Sequence, residues 1–267
     1  MKIGVLGKIN KVGADEAAQK LISALEALGH ETVRFFSHRE IDGVDVVVVL
    51  GGDGAILHAA VPAAQKGIKI IGINFGNVGF LTEYEKEEYD NVRDLIAMLE
   101  SGSCQILKRS LLQITIGENV FYALNEVAIQ RDNSLISAAA TQILSAEINA
   151  KAGTDTISGD GLLICTPTGS TAYSLSAGGA ILAPEVPVFM MTPICAFSTR
   201  TRPIVFADTD EFTIRIKKGK SIILSDGRVI AALPENGEIR IKKAPFTADF
   251  PVKTGSDFFA KVRNKLG

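Results

Sequence analysis

Asp45-Val46-Val47-Val48-Val49-Leu50 runs straight into Gly51-Gly52-Asp53-Gly54, ten residues that pass from an apolar run to a glycine-rich loop. The valine run has no polar alternation, as expected for a strand of a parallel sheet that is covered by helices on both faces. The glycines end it, and the stretch from about Ala55 to Gln65 reads as a helix. On the N-terminal side, Lys2–Leu6 is a short apolar strand. Ala14–Leu28 places Ala17, Leu21, Ile22, Leu25 and Leu28 at helical spacing, and Gly29 stops it. Thr32–Phe36 and Lys69–Asn74 (KIIGIN) read as further strands, and Asn91–Glu100 as a helix. This alternation predicts an open, doubly wound α/β sheet.

After Gly102 the texture changes. LLQITI (111–116), FYALNEVAI (121–129), TQILSAEINA (141–150), LLICT (162–166), FTIRIKKG (212–219), SIILS (221–225) and GEIRIKK (237–243) are short, and most of them alternate. Turn signals such as Gly117-Glu118-Asn119 and Asn236-Gly237 separate them, which predicts an antiparallel sandwich or stacked sheets. Helical pattern returns around Thr171–Ala177 and at Asp257–Leu266. No internal repeat and no low-complexity linker is visible, so two closely packed halves with a cleft between them are expected.

Composition narrows the chemistry. The 267 residues carry 28 Lys+Arg against 30 Asp+Glu, a net charge of −2. That balance gives no electrostatic footprint for non-specific binding to nucleic acid or anionic membrane. No apolar run approaches the roughly 18–20 residues of a membrane helix. Met1-Lys2 runs into IGVL without the pattern of a signal peptide. Cys104, Cys165 and Cys195 are scattered, which argues against a disulfide framework or zinc knuckle and for a cytoplasmic setting. All three histidines (His30, His38, His58) lie in the first 58 residues, so an acid or base near neutral pH is expected to be a carboxylate or a residue activated by one.

The Gly51–Gly54 loop lies at the carboxyl end of a buried strand and ahead of a helix, where open α/β sheets bind ligands. Gly52 and Gly54 let backbone approach a phosphate, and the helix N-terminus offers unpaired N–H groups. A carboxylate repels phosphate, so Asp53 makes sense as a proton acceptor for a hydroxyl or as a magnesium ligand. The alternative is a structural turn with Asp53 as the helix N-cap. No Gly-Lys-Ser/Thr follows, and the spacing is not that of a dinucleotide GxGxxG. A second glycine-rich stretch, Asn74-Phe75-Gly76-Asn77-Val78-Gly79-Phe80-Leu81-Thr82, follows the next strand. Phe80 there either closes over a nucleotide or plugs the core.

A third signal is Gly159-Asp160-Gly161, then a short strand, then Thr166-Pro167-Thr168-Gly169-Ser170-Thr171-Ala172-Tyr173-Ser174. Pro167 and Gly169 force a turn. Five hydroxyl residues in the seven positions from Thr168 to Ser174 exceed what a capped helix needs, and read as a nest for ribose or phosphate oxygens. Asn125-Glu126, inside ALNEVAI, is a polar pair where alternation allows one outward position. One of the two points into a cleft, unless the strand is a solvated edge.

Taken together these segments resemble the NAD kinase family. The resemblance rests on GGDG at 51–54, N-x-G-x-x-G-F-L-T at 74–82, Asn125-Glu126 and G-D-G-x-x-x-x-T-P-T-G-S-T-A-Y-S at 159–174. It continues through Ser176-Ala177-Gly178-Gly179, Arg202-Pro203 and Ser225-Asp226-Gly227. GGDG is shared with lipid kinases and is similar to the phosphofructokinase loop; the long TPTGSTAYS segment combined with Asn-Glu is more specific to NAD kinases.

The resemblance implies a Rossmann-like, phosphofructokinase-like domain over 1–102, completed by a returning segment 256–267, and a β-rich NAD-binding domain over 103–255. It implies phosphoryl transfer from ATP or polyphosphate to the 2′-hydroxyl of the adenosine ribose of NAD, with Asp53 as general base and Mg²⁺ or another divalent cation on the phosphates. Asn125 and Glu126 are then expected to hold the ribose and the dinucleotide phosphates, and Asp160 the nicotinamide riboside half. Thr171, Ala172, Tyr173 and Ser176 form the adenine and ribose wall, with Tyr173 reaching a neighbouring subunit of a homodimer or homotetramer. Gly52, Gly54, His58, Phe80, Ser158, Thr168 and Arg228 complete the expected nucleotide-binding set, His58 as a phosphate contact or else an ordinary helix residue.

Two positions depart from the family pattern. Ala55 stands where the loop commonly continues with Thr, so a hydroxyl is missing. Ser158 stands two before Asp160, where relatives often carry Arg, so a cation is missing and the choice between NAD and NADH is open. Two other readings stay open: a lipid or sugar kinase sharing the GGDG loop, and a non-catalytic dinucleotide sensor.

Overall fold

A computed structural model describes residues 1–7, 13–76, 79–132 and 144–266. The chain divides into two compact units, residues 1–109 with 246–267, and residues 110–245. The first contains β1 (Lys2–Gly7), α1 (Ala14–Ala27), β2 (Glu31–Phe35), β3 (Val46–Gly51), α2 (Asp53–Gln65), β4 (Lys69–Asn74), β5 (Tyr84–Glu85) and α3 (Val92–Glu100). These five strands pair in parallel in the order β2-β1-β3-β4-β5. Val46 to Val49 are fully buried, as the unbroken β-branched run requires. On one side Leu21 and Leu25 of α1 and Leu95 and Ile96 of α3 pack with Val46 and Val48 in one cluster. Helix α2 packs on β3 and β4, and Ile56, Ala59, Ala60 and Ala63 on it are all fully buried. Strand order reverses between β1 and β3, the switch point beside which ligands of such sheets bind.

Two six-stranded sheets follow. The strands are β6 (Gln105–Ile116), β7 (Asn119–Ala123), β8 (Glu126–Arg131), β9 (Leu144–Ala150), β10 (Gly153–Gly159) and β11 (Gly161–Cys165). After the short helix α4 (Tyr173–Ser176) come β12 (Val188–Ile194), β13 (Ile204–Ala207), β14 (Phe212–Lys218), β15 (Ser221–Ser225), β16 (Arg228–Leu233) and β17 (Glu238–Val252), and then α5 (Phe258–Leu266). One sheet has the order β10-β9-β14-β17-β6-β7 and the other β13-β12-β11-β8-β15-β16. Ile114, Ile148, Ile214 and Ile239 of the first sheet pack with Ile129, Ile164, Phe189 and Ile223 of the second in one buried cluster, so the unit is an antiparallel sandwich.

The segments 111–116, 162–166, 212–219, 221–225 and 237–243 each fall on a strand, overrunning it by one residue at most, and 121–129 becomes two, β7 and β8, broken at Leu124-Asn125. Positions 77–78 of the second glycine-rich stretch and 141–143 of the TQILSAEINA segment lie outside the described residues. Strands β5, β10, β12, β13 and β16 carry no sequence expectation. β10 reads GTDTISG, too polar to alternate, and β12 reads VFMMTPI, apolar throughout with a proline. Helix α2 starts two residues earlier than Ala55, at Asp53 itself.

Candidate functional site

Two sets of polar groups carry the sequence-derived candidates, one in each unit. The first is built on the carboxyl ends of β3 and β4. Gly52 is the N-cap of α2, with extended backbone and no side-chain cap bond, so Asp53 is the first helical residue. The alternative of Asp53 as the N-cap therefore does not hold. Its carboxylate is taken instead by the second glycine-rich stretch: the Phe80 N–H donates to Oδ2 and the Leu81 N–H to Oδ1, each at 2.9 Å. Burial raises the Asp53 pKa above the ordinary aspartate value, while these two N–H groups and the charges of Arg109 and Lys265 oppose the rise. A desolvated carboxylate held in one orientation by backbone donors has the properties of a general base.

The two glycine-rich stretches touch. A Cβ on Gly52 would lie 3.6 Å from Gly76 Cα. Asn74, 4 % exposed, accepts the Gly76 N–H on Oδ1 at 2.8 Å and donates from Nδ2 to Glu85 at 2.8 Å. The Phe80 ring is half-buried; it is the backbone of Phe80 that reaches Asp53. Gly54 is exposed, and Ala55 half-buried. His58 is exposed one turn into α2, its ring 5.5 Å from that of His38.

No three or more His, Cys, Asp or Glu side chains gather into a metal-binding group among the described residues. Magnesium keeps several waters and is commonly held by one or two carboxylates plus substrate phosphates, so it needs no such cage. A triphosphate-borne ion fits a loop whose one carboxylate is Asp53.

The second set is organised by Asp226, which the sequence marked only as part of a motif. Its carboxylate accepts three backbone N–H groups, those of Leu124, Asn125 and Glu126, at 2.8, 2.8 and 3.2 Å. Asp226 adopts φ 48 to reach them, and its own N–H donates to Glu126 O at 3.0 Å. This clamp shapes the Leu124-Asn125 break between β7 and β8. Glu126 is 7 % exposed, and its Oε2 is buried with no hydrogen-bond partner among the described residues. Burial, and then the neighbouring Asp226 charge, push its pKa up to about 7 against the pull of the Tyr173 N–H. Burial likewise pushes Asp226 up to about 6 against its three N–H donors and the charge of Arg228. Arg228 itself is exposed.

The segment after β11 packs onto this turn. Thr166 donates from Oγ1 to Leu124 O at 2.6 Å and from its N–H to Asn125 O at 2.9 Å. Gly169 approaches so closely that a Cβ there would sit 2.1 Å from Asn125 O. The hydroxyl bank is only partly available to a ligand, in contrast to the sequence expectation. Ser170 Oγ donates to Pro167 O at 2.7 Å and accepts the Leu182 N–H at 2.9 Å, and Ser174 Oγ pairs with Thr192 Oγ1 at 2.7 Å. Both serines are fully buried. Thr168 is buried too, and Thr171 Oγ1 donates to Thr168 O at 3.4 Å. What remains outward is Tyr173, 37 % exposed, and Ser176, with Thr171 and Ala172 half-buried.

Asp160 sits where the chain passes from β10 in one sheet to β11 in the other. Arg131 Nε lies 3.2 Å from its Oδ1, so a cation does accompany Asp160 although Ser158 supplies none. Ser158 Oγ donates to Ser145 Oγ at 3.3 Å. Register puts Glu126 opposite Cys165 and Gln130 opposite Gly161. Glu126 and Asp160 therefore lie toward opposite ends of β8, four to five residues or about 15 Å apart. Tyr173 bridges part of that span, its hydroxyl accepting from Gln130 Nε2 at 2.9 Å. Arg131, Gln130 and Asp226 were not expected as site residues, because nothing near them in sequence marks the partners they meet.

Residues 4–100 match the ATP-NAD kinase N-terminal domain family, and residues 124–252 match the ATP-NAD kinase C-terminal domain family. The chain is 33 % identical over 282 residues to the NAD kinase of Methanothermobacter thermautotrophicus, covering 100 % of this chain and 96 % of that one. It is 37 % identical over 231 residues to the NAD kinase of Carboxydothermus hydrogenoformans, covering 84 % and 79 %. Among solved structures, an NAD kinase from Archaeoglobus fulgidus in complex with ATP superposes with a TM-score of 0.81 at 27 % identity, covering 98 % of this chain and 99 % of that one. Yeast NADH kinase complexed with NADH shares the fold, with a TM-score of 0.85 at 23 % identity over 100 % and 87 %.

Proposed function

The chain belongs to the NAD kinase family, and on that premise we propose that it phosphorylates NAD at the 2′-hydroxyl of the adenosine ribose, with Asp53 as the base. The observation that carries the role of Asp53 is its double tether: both carboxylate oxygens are aimed by the Phe80 and Leu81 N–H groups, while burial makes the carboxylate more basic. In the transfer the 2′-hydroxyl proton passes to Asp53, the ribose oxygen bonds to the γ-phosphorus, and the bridging oxygen leaves with ADP. The proton on Asp53 then returns to solvent. Magnesium on the triphosphate supplies charge neutralisation. The N-terminus of α2, with Gly52 and Gly54, offers backbone and a positive dipole end to phosphate without help from a hydroxyl at Ala55; His58 is a further candidate contact there.

The dinucleotide half of the reading rests on the second unit. Asn125 and Glu126, held by Asp226, are the candidates for the ribose and phosphates, with Thr168, Thr171, Ala172, Tyr173, Ser176 and Arg228 around them. Asp160, with Ser158 beside it, is the candidate for the nicotinamide riboside. The roughly 15 Å between the ends of β8 suits the two halves of one extended dinucleotide. We further infer a homodimer or homotetramer acting in the cytoplasm, with ATP or polyphosphate as donor. No helix among the described residues is long and apolar enough to cross a membrane.

The test is a matrix of ATP, other triphosphates and polyphosphate against NAD and NADH, with NADP(H) formation measured for wild type and Asp53→Asn. Wild-type turnover with a loss of about 100-fold or more in Asp53→Asn is expected. A protein that binds NAD and transfers nothing from any donor would be a sensor instead.

A further inference from the structure

The described loop segments that orient Asp53 are themselves held by the end of the chain. Lys261 of α5 donates from Nζ to Thr82 O at 3.1 Å and to Glu83 Oε2 at 2.8 Å. The Glu83 side chain is 5 % exposed, and its Oε1 also accepts the Lys253 N–H at 3.0 Å. One helical turn further, Lys265 donates from Nζ to Glu85 Oε1 at 3.0 Å. The other oxygen of Glu85 accepts from Asn74 Nδ2, and Asn74 Oδ1 accepts the Gly76 N–H, both at 2.8 Å. Lys261 and Lys265 of α5 thus end on both flanks of the second glycine-rich stretch: on Thr82-Glu83, directly after the Phe80 and Leu81 donors, and, through Glu85, on Asn74 and Gly76.

We propose that Lys261 and Lys265 are positioning residues for Asp53, acting through Glu83 and through Glu85–Asn74. This rests on the reading of Asp53 as the base and extends it to groups that touch no substrate. A loop rich in glycine has much conformational freedom to lose, and its backbone donors hold a carboxylate only if the loop is pinned at its flanks. Phe80 and Leu81 supply those donors within two residues of Thr82. The Lys261–Glu83 pair is suited to pinning because both groups are largely withdrawn from water, at 25 % and 5 % exposure, where loss of one partner strands the other. Small displacements at a reacting group cost rate rather than substrate binding, since the ribose must meet the base in one geometry. Lys265 adds its charge, which with that of Arg109 opposes the burial of Asp53. A strap that merely stabilised the fold would change melting temperature and leave the chemistry of the folded enzyme as it was.

The experiment compares Lys261→Met, Lys265→Met and Lys265→Arg in the full chain, with wild type and Asp53→Asn alongside, by steady-state kinetics over pH and by thermal melts. Each Met variant is expected to lower kcat about 10-fold at temperatures where it is fully folded, with the KM for NAD within about twofold. In Lys265→Met the acid limb of kcat also moves to higher pH, because a cation that favoured ionised Asp53 is gone; Lys265→Arg restores both. Met variants with wild-type kcat and an unmoved acid limb overturn the proposal, whatever their melting temperatures. If Lys261→Met does not fold, Lys265→Met, at a pair with a half-exposed Glu85, decides alone. A wild-type protein that makes no NADP, or an Asp53→Asn variant that keeps its turnover, removes the underlying reading of Asp53 instead.

Discussion

The N–H of Asn125 donates to Asp226 Oδ1 at 2.8 Å, joining residues 101 positions apart. The same carboxylate also takes the N–H groups of Leu124 and Glu126, so one side chain sets the conformation of the turn that presents the Asn-Glu pair. Replacing Asp226 by Asn keeps the volume and one acceptor oxygen but turns an NH₂ toward a backbone donor. Asp226→Asn is expected to raise the KM for NAD about 10-fold while the KM for ATP stays constant. Asp226→Ala leaves three backbone donors without this acceptor and is expected to lose about 2 kcal/mol of stability as well, measured by denaturant melts.

Glu126 makes stability depend on pH. Its folded pKa, about 7, lies above the ordinary 4.5, so the native state binds the proton more tightly than the unfolded chain. The stabilisation from that proton is complete below 4.5 and is lost as pH rises toward 7. Glu126→Gln removes the ionisation. The variant is expected to match wild type near pH 4.5 and to exceed it by about 3 kcal/mol at pH 8, with weaker NAD binding. Chemical denaturation at the two pH values, with calorimetric titration of NAD, checks both halves.

Asp53 must be ionised to accept a proton, and burial places its pKa above the ordinary 3.8. Activity is therefore expected to fall, as pH is lowered, through a limb that lies above the usual aspartate range. In Asp53→Asn the residual rate, about 100-fold or more below wild type, should show no such limb. A pH series of kcat for the two proteins at saturating NAD and ATP reads this directly.

Gly169 is needed for closeness rather than for an unusual backbone angle. A methyl group there would lie 2.1 Å from Asn125 O and 2.5 Å from its carbonyl carbon, so the turn or the segment must move. Gly169→Ala is expected to cost about 3 kcal/mol and to weaken NAD binding, as thermal melts and calorimetry would show.

Much of the architecture was legible along the chain. The Val46–Leu50 run, the spacing of Leu21 and Leu25, and the glycine pair after β3 each carry their signal within a few residues, because burial on a strand or helix face repeats with the period of that element. The Asn125-Glu126 pair stood out because it interrupts an apolar pattern. Strands such as β10 and β12 did not, since GTDTISG is polar and VFMMTPI has no alternation to read. The hydroxyl-rich stretch misled in part. A count of hydroxyls does not tell Ser170 and Ser174, which are consumed by Pro167, Leu182 and Thr192, from Tyr173, which is exposed.

The parallel sheet, the strand-rich second half, the base candidate Asp53 and the family resemblance could all be read along the chain, because those depend on local periodicity and on short motifs. How the candidates are held follows from the folded arrangement alone. Asp53 is aimed by Phe80 and Leu81, Asn125 by Asp226, and Glu85 meets Lys265 across 180 positions. A carboxylate, a lysine or a backbone N–H looks the same in sequence whatever it will meet. Its partner is selected when the chain folds and brings distant groups within hydrogen-bond reach, and the pKa of each group follows from that burial and those neighbours.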